Sequence, residues 1–148
     1  MIITIDSPAG SGKRTGGRKL SARLGIAYLD TGAMYRAVTL AALHDGADLR
    51  DESALTRTAA TADFDLDCGP THARVLLRGR DVTEEIRSPH VSDHTPFVAA
   101  SQGVRRLLVE RQRDLARRLG SLVTEGRDQG SVAFPDADMK FFLDADVQ

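Results

Sequence analysis

The chain has 148 residues, 41% of them hydrophobic, which is enough for one ordinary globular domain with a real core. Its 20 basic and 21 acidic residues leave a net charge of −1, which excludes a bulk nucleic-acid or anionic-membrane surface. A single cysteine, Cys68, excludes a disulfide framework and a cysteine-based metal site, and no apolar run approaches the ~18 residues of a membrane helix.

Residues 1–5 form a short β-branched run that reads as a buried parallel strand, with no leader-like segment before it; the expectation is a cytoplasmic protein. The glycine-rich stretch SPAGSGKRT follows at once, and residues 15–24 predict a helix ending at Gly25. Gly16 and Gly17 fit that helix badly, each costing about 1 kcal/mol relative to alanine. Tyr28 and Leu29 predict a second strand, Asp30-Thr31-Gly32 a turn, and residues 33–43 an apolar helix that stops near Gly46. Asp51 is a good N-cap for a small helix burying Leu55, Ala59 and Ala62. Alternation over 64–68 and 73–78, with Gly69-Pro70 between, predicts a hairpin that residues 80–83 extend. Residues 63–98 thus read as an inserted antiparallel subdomain. A helix over 104–119 should bury Val104, Leu107, Leu108, Leu115 and Leu119, and residues 121–125 and 139–143 should add two more parallel strands. The order predicts an α/β, doubly wound parallel sheet with a small antiparallel β insertion.

Such sheets bind ligands beyond the carboxyl ends of their strands. Three segments leave those ends, residues 6–15, 30–36 and 126–130, and should converge on one cleft. Strand, glycine-rich loop and helix make a phosphate site in which backbone N–H groups and Lys13 cradle the anion. The standard pattern is G-x-x-x-x-G-K-[ST]; here Ser7 replaces the first glycine and Arg14 replaces the hydroxyl. A guanidinium donates only, so Arg14 can attract phosphate but cannot ligate Mg2+. Two further arginines in these loops, Arg36 and Arg127, imply a second anionic substrate. His90 and His94, with Asp93 beside them, have the i, i+4 spacing of a metal pair but lack a third ligand at a familiar interval. The arginines of residues 105–118, interrupted by Glu110 and Asp114, read as the exposed face of an amphipathic helix.

Four stretches, TIDSPAGSGKRT, YLDTGAMYRA, GRDVTEEIRSP and EGRDQGSVAFPDADMKFFLDA, together resemble bacterial cytidylate kinase, in register from Ile2 onward. The resemblance implies a P-loop nucleoside monophosphate kinase that moves the γ-phosphate of ATP to CMP or dCMP. It implies an ATP site over Ser7, Pro8, Ala9, Gly10, Ser11, Gly12, Lys13, Arg14 and Thr15, with ATP as co-substrate and Mg2+ as its metal. It also implies a CMP site of Thr31, Tyr35, Arg36, Arg105, Arg127 and Asp128, with Lys13, Arg36 and Arg127 catalytic. No metal-ligating residue, nucleic-acid partner or membrane partner is implied, and the expectation is a monomer. Residues 63–98 would be the CMP-binding subdomain. Thr31, Arg105 and Asp128 would read cytosine, because its N4 donates to a carboxylate whereas uracil O4 would oppose one.

Against that pattern stand Ser7, Arg14, Gly16, Gly17 and Pro96. The chain is also expected to be the kinase core alone, stopping at Asp146-Val147-Gln148 without the lid and last strand of the family. The alternatives are therefore a degenerate nucleotide-binding protein with little or no kinase activity, or another small-molecule P-loop kinase.

Overall fold

The structure, a computed structural model, describes residues 1–8 and 13–144, with backbone alone at 13 and 14. Two compact units divide the chain. The first comprises Met1–Thr31, Cys68–Ala73 and Arg111–Gln148, and the second Gly32–Asp67 and Arg74–Glu110.

The first unit is built on four parallel strands: β1 (Ile2–Asp6), β2 (Ala27–Asp30), β6 (Leu122–Gly126) and β7 (Met139–Phe142). Their order is β2-β6-β1-β7, so the apolar run at the start of the chain is central and buried, as a parallel strand requires. Asp6 pairs with Gly126 and Asp30 with Glu125, which brings the carboxyl ends of three strands level. Ile3, Ile5, Tyr28 and Val123 form a buried cluster onto which Leu20 and Ile26 pack. Truncating one of these aliphatics to alanine costs about 2–5 kcal/mol in a typical core. β7 lies at the sheet edge with Met139, Phe141 and Phe142 exposed.

Helix α1 (Lys13–Leu24) begins two residues earlier than the sequence suggests. Gly17, read as a weakness, has a packing reason: a Cβ there would stand 2.8 Å from Tyr28 Cε2. Glycine lets the helix lie close on β2, and that contact offsets the poor propensity. The turn expected at residues 30–32 is absent, since β2 passes directly into helix α2 (Thr31–His44). Thr31 opens that helix with its hydroxyl anchored on the Glu125 carbonyl.

In the second unit, α3 (Glu52–Thr61) starts as predicted. Asp51 accepts from Ser53 N at 3.0 Å and Ala54 N at 3.3 Å, and Leu55, Ala59 and Ala62 are buried. The antiparallel strands β3 (Phe64–Cys68), β4 (Ala73–Leu77) and β5 (Arg80–Asp81) follow in that order. Arg78 and Gly79 join β4 to β5 with φ of 53° and 79°, the doubly positive turn whose twist suits a two-residue hairpin.

The antiparallel reading of residues 63–98 fails after residue 81. A 3-10 turn covers Glu85–Arg87 and helix α4 covers Pro89–Ala99. Pro89 occupies the first helical turn, where a missing N–H costs nothing, and Ser88 Oγ caps Val91 N at 3.3 Å, whereas Pro96 lies inside the helix. Helix α5 (Gln102–Leu119) buries Val104, Leu108 and Leu115, whereas Leu119 is 36% exposed because Gly120 ends the helix beside it. Among the described residues no helix is long and apolar enough to cross a membrane.

Candidate functional site

The site in the first unit is assembled where β1, β2 and β6 end. Ser7, just past β1, donates its backbone N–H to the Gly126 carbonyl at 3.2 Å, so the start of the phosphate-loop segment is tied to the start of the Gly126–Gly130 loop. Asp6 carries the stronger tie. Its Oδ1 accepts from Gln129 N and its Oδ2 from Gly130 N, each at 2.8 Å, and the residue is 8% exposed. Those two N–H groups open a π-turn over Gln129–Ala133, in which Ala133 N and Phe134 N reach back five residues to Asp128 O and Gln129 O. Arg113 of α5 closes its other end, donating from Nε to Ala133 O and from Nη2 to Val132 O, both at 2.9 Å. An acid at the N–H end and a guanidinium at the carbonyl end complement the dipole of the turn.

Beneath the turn lies a buried polar layer. Thr31 Oγ1 donates to Glu125 O at 2.9 Å, and Tyr28 Oη donates to Glu125 Oε1 at 2.8 Å. Thr124 Oγ1 donates to Gln129 Oε1 at 2.7 Å, while Gln129 Nε2 donates to Asp128 Oδ1 at 3.2 Å and to Gln112 Oε1 at 3.3 Å. Gly126 and Gly130 let these groups approach. A Cβ on Gly126 would lie 2.6 Å from Thr31 Oγ1, and one on Gly130 would lie 2.9 Å from Thr4 Oγ1. Neither position has room for a side chain.

Of the residues singled out from sequence, Ser7, Thr31, Arg127 and Asp128 come together on these strand ends in the first unit. Thr31 is buried, Arg127 exposed and Asp128 half-buried. Thr15, in the first turn of α1, is exposed, and Pro8 is exposed as well. Ala9, Gly10, Ser11 and Gly12 lie outside the described residues, as do the side chains of Lys13 and Arg14. Tyr35, Arg36 and Arg105 belong to the second unit. There Arg36 Nη1 donates to Ser92 Oγ at 2.7 Å and to Ile86 O at 3.2 Å, while Arg105 is exposed. His90 and His94 do lie one turn apart on α4, with His94 Nδ1 2.7 Å from His90 O.

Sequence reasoning passed over Asp6, Tyr28, Gln112, Thr124, Glu125 and Gln129. The available signal was polarity where the pattern demanded apolar residues. Thr124 and Glu125 interrupt a strand buried along its whole length, and Gln112 sits on the inner side of an amphipathic helix.

A central parallel sheet with a glycine-rich segment after its first strand, and a polar site at the carboxyl strand ends, defines an α/β protein of the P-loop kinase class. The cytidylate kinase family model matches residues 3–148. The chain is 52% identical over 144 residues to the cytidylate kinase of Pelotomaculum thermopropionicum, covering 97% of this chain and 63% of that protein. It is 46% identical over 145 residues to the cytidylate kinase of Solibacter usitatus, covering 98% of this chain and 60% of that one. A bifunctional pantoate ligase/cytidylate kinase of Synechococcus elongatus is 48% identical over 149 residues, covering 97% of this chain and 28% of that protein. The chain belongs to the cytidylate kinase family, and it spans 60–63% of the length of the two single-function relatives.

Proposed function

We propose that the chain carries the nucleotide sites of a cytidylate kinase, moving the ATP γ-phosphate to CMP or dCMP to give CDP or dCDP, as a cytoplasmic monomer. The observation that carries this reading is the strand-end cluster, in which the Asp128 carboxylate is held by a buried amide and Thr31 and Gln129 flank Gly126. In this reading Asp128 accepts from the cytosine N4 amine, a contact that uracil O4 would turn into acceptor against acceptor. The proton of Thr31 Oγ1 is committed to Glu125 O, so toward a base this hydroxyl only accepts, again favouring an amine. By the family resemblance, Arg105 would also read the ring and Tyr35 would be a further CMP-binding residue. Arg36 and Arg127 would clamp the CMP phosphate as bidentate donors, and residues 63–98 would form the CMP-binding subdomain.

ATP would occupy residues 7–15, with Lys13 on its phosphates at the start of α1, where free N–H groups already favour an anion. Held with ATP at residues 7–15, Mg2+ would supply positive charge against that developing on the transferred phosphate. Each Asp6 oxygen already accepts a backbone N–H, so Asp6 keeps only one lone pair per oxygen for the metal.

The test is CDP formation from ATP and CMP together with calorimetric titration of CMP, dCMP, UMP and AMP. CMP and dCMP should bind in preference to UMP, and Asp128→Asn should relax that preference because an amide both donates and accepts. Equal affinity for CMP and UMP would remove Asp128 as the base reader. CMP binding without CDP formation would favour the non-catalytic alternative.

A further inference from the structure

Gln129 is 1% exposed, and a buried primary amide demands partners for two donors and one acceptor. It has them all: Thr124 Oγ1 on its oxygen, and Gln112 Oε1 and Asp128 Oδ1 on its nitrogen. Asp128 when ionised only accepts, so it dictates which end of the amide faces it; the Thr124 hydroxyl then supplies the donor that Oε1 needs. The backbone of the same residue is fixed independently, because its N–H is one of the two bonded to Asp6 and its carbonyl accepts from Phe134 N at 2.7 Å. Every hydrogen-bonding group of Gln129 named here is engaged. The only half-exposed member of its side-chain network is Asp128.

We infer that Gln129 is a positioning residue for base specificity: its amide holds the Asp128 carboxylate in the orientation that receives an exocyclic amine. The inference rests on the reading of Asp128 given above. A carboxylate tethered at one oxygen by a neutral donor keeps its charge and its acceptor character, and it loses the rotation that would let it turn away from an unsuitable base. The tether is in turn fixed from below by Thr124 on β6 and Gln112 on α5, so the recognition atom is referenced to the sheet. This is the kind of second-layer support that holds a recognition group to a productive geometry.

A merely structural role predicts something different. Removing a buried amide that only fills space would lower stability and weaken all ligands together. Removing an orienting donor should weaken CMP more than UMP while sparing ATP. The experiment uses the unmodified chain, Gln129→Met and Thr124→Val, with CMP, UMP and ATP affinities measured by calorimetry and folding followed by thermal melts. Methionine has similar length and no donor. Q129M is expected to lower the CMP-over-UMP preference at least about fivefold, the scale of one ordinary hydrogen bond, while ATP affinity changes less than about twofold. T124V keeps the Gln129 amide but frees its orientation, and should lower the preference about two- to threefold. A chain that prefers CMP and a Q129M that keeps the full preference overturn the inference and leave the base-reading role of Asp128 standing. A parallel fall in CMP, UMP and ATP affinity overturns it as well, in favour of a structural role. An unmodified chain with no preference for CMP overturns that role of Asp128 and this inference with it. If Q129M does not fold, T124V decides: full retention of the preference overturns the inference.

Discussion

The strand-end cluster of the first unit and the hairpin side of the second hold polar groups at nearly the same distances and use them in opposite ways. Asp6, Thr124, Gln129 and Tyr28 make bonds of 2.7–2.8 Å in an interior where none of them is more than 8% exposed. Arg74–Asp67, Arg78–Asp45 and Arg80–Glu85 meet at 2.7–2.9 Å with side chains 40–66% exposed. Water competes for the second set in the folded protein and can replace either partner. For the first set the alternative to each bond is an unpaired group in a dry site. Equal lengths thus stand for unequal contributions, and mutations should reveal the difference that geometry alone conceals.

The largest effect is expected at Asp6. Asp6→Ala strands two N–H groups at the mouth of the π-turn, that of Gln129 buried and that of Gly130 partly so; at about 1–3 kcal/mol for a fully buried donor and less for the other, the loss should reach about 2–4 kcal/mol in urea unfolding. Asp6→Asn retains one acceptor oxygen and should lose roughly half as much. Next comes Gly126→Ala, whose methyl would meet Thr31 Oγ1 at 2.6 Å and Gln129 Cγ at 3.0 Å. Overpacking of this kind costs about 1–3 kcal/mol. Adding Thr31→Ala should recover part of it, and a strictly additive double mutant would mean that the clash is relieved elsewhere.

Asp6 and its partner Gln129 also mark the limit of what was legible. The individual apolar strands, the capped helix at Asp51 and the hairpin across Gly69-Pro70 follow from local rules, because each signal and its consequence lie within a few residues. Helix α4 was not read from the sequence; it holds Pro89 in its first turn, where proline is tolerated, but also Pro96 in its interior, where it ordinarily is not. Thr31, Arg127 and Asp128 were singled out through motifs. Asp6 and Gln129 were not, because their bond joins residues 123 positions apart and depends on the register of β1 with β6. Gly17 was read as a propensity defect because the Tyr28 ring it accommodates comes from another element.

On the exposed side the expected effects are smaller. Arg78 Nη2 lies 2.9 Å from both carboxylate oxygens of Asp45, yet the two side chains are 49% and 46% exposed. A double-mutant cycle with Arg78→Ala and Asp45→Ala should give a coupling of about 0.2–1 kcal/mol that fades in 1 M salt. Arg78 also holds a positive φ, so Arg78→Gly should lose the pair but regain part of the stability through the backbone. A coupling as large as the effect of Asp6→Ala would collapse the contrast between the two regions.

The smallest effect should appear only in acid. Glu52, in the first turn of α3, accepts from Gly103 N at 3.0 Å and Ser101 Oγ at 2.9 Å, tying α3 to the start of α5. The Gly103 N–H, and after it the Ser101 hydroxyl, stabilise the charged carboxylate and hold its pKa below the ordinary value of 4.5. A carboxylate with a lowered folded-state pKa contributes stability above its unfolded value, and that contribution disappears as pH falls through the folded pKa. Unfolding of the parent chain should therefore become easier below about pH 4.5, over and above the change in Glu52→Gln, which keeps an acceptor oxygen but has no proton to gain. Asp81, lowered by the Thr83 hydroxyl and N–H, contributes in the same direction. It is present in both proteins, so the difference between their acid limbs isolates Glu52. Because Glu52 is exposed, the two limbs should separate only slightly, and they should coincide at pH 7 apart from a constant offset. Parallel limbs throughout would mean that water satisfies the carboxylate in the unfolded chain as well as Gly103 and Ser101 do in the folded one.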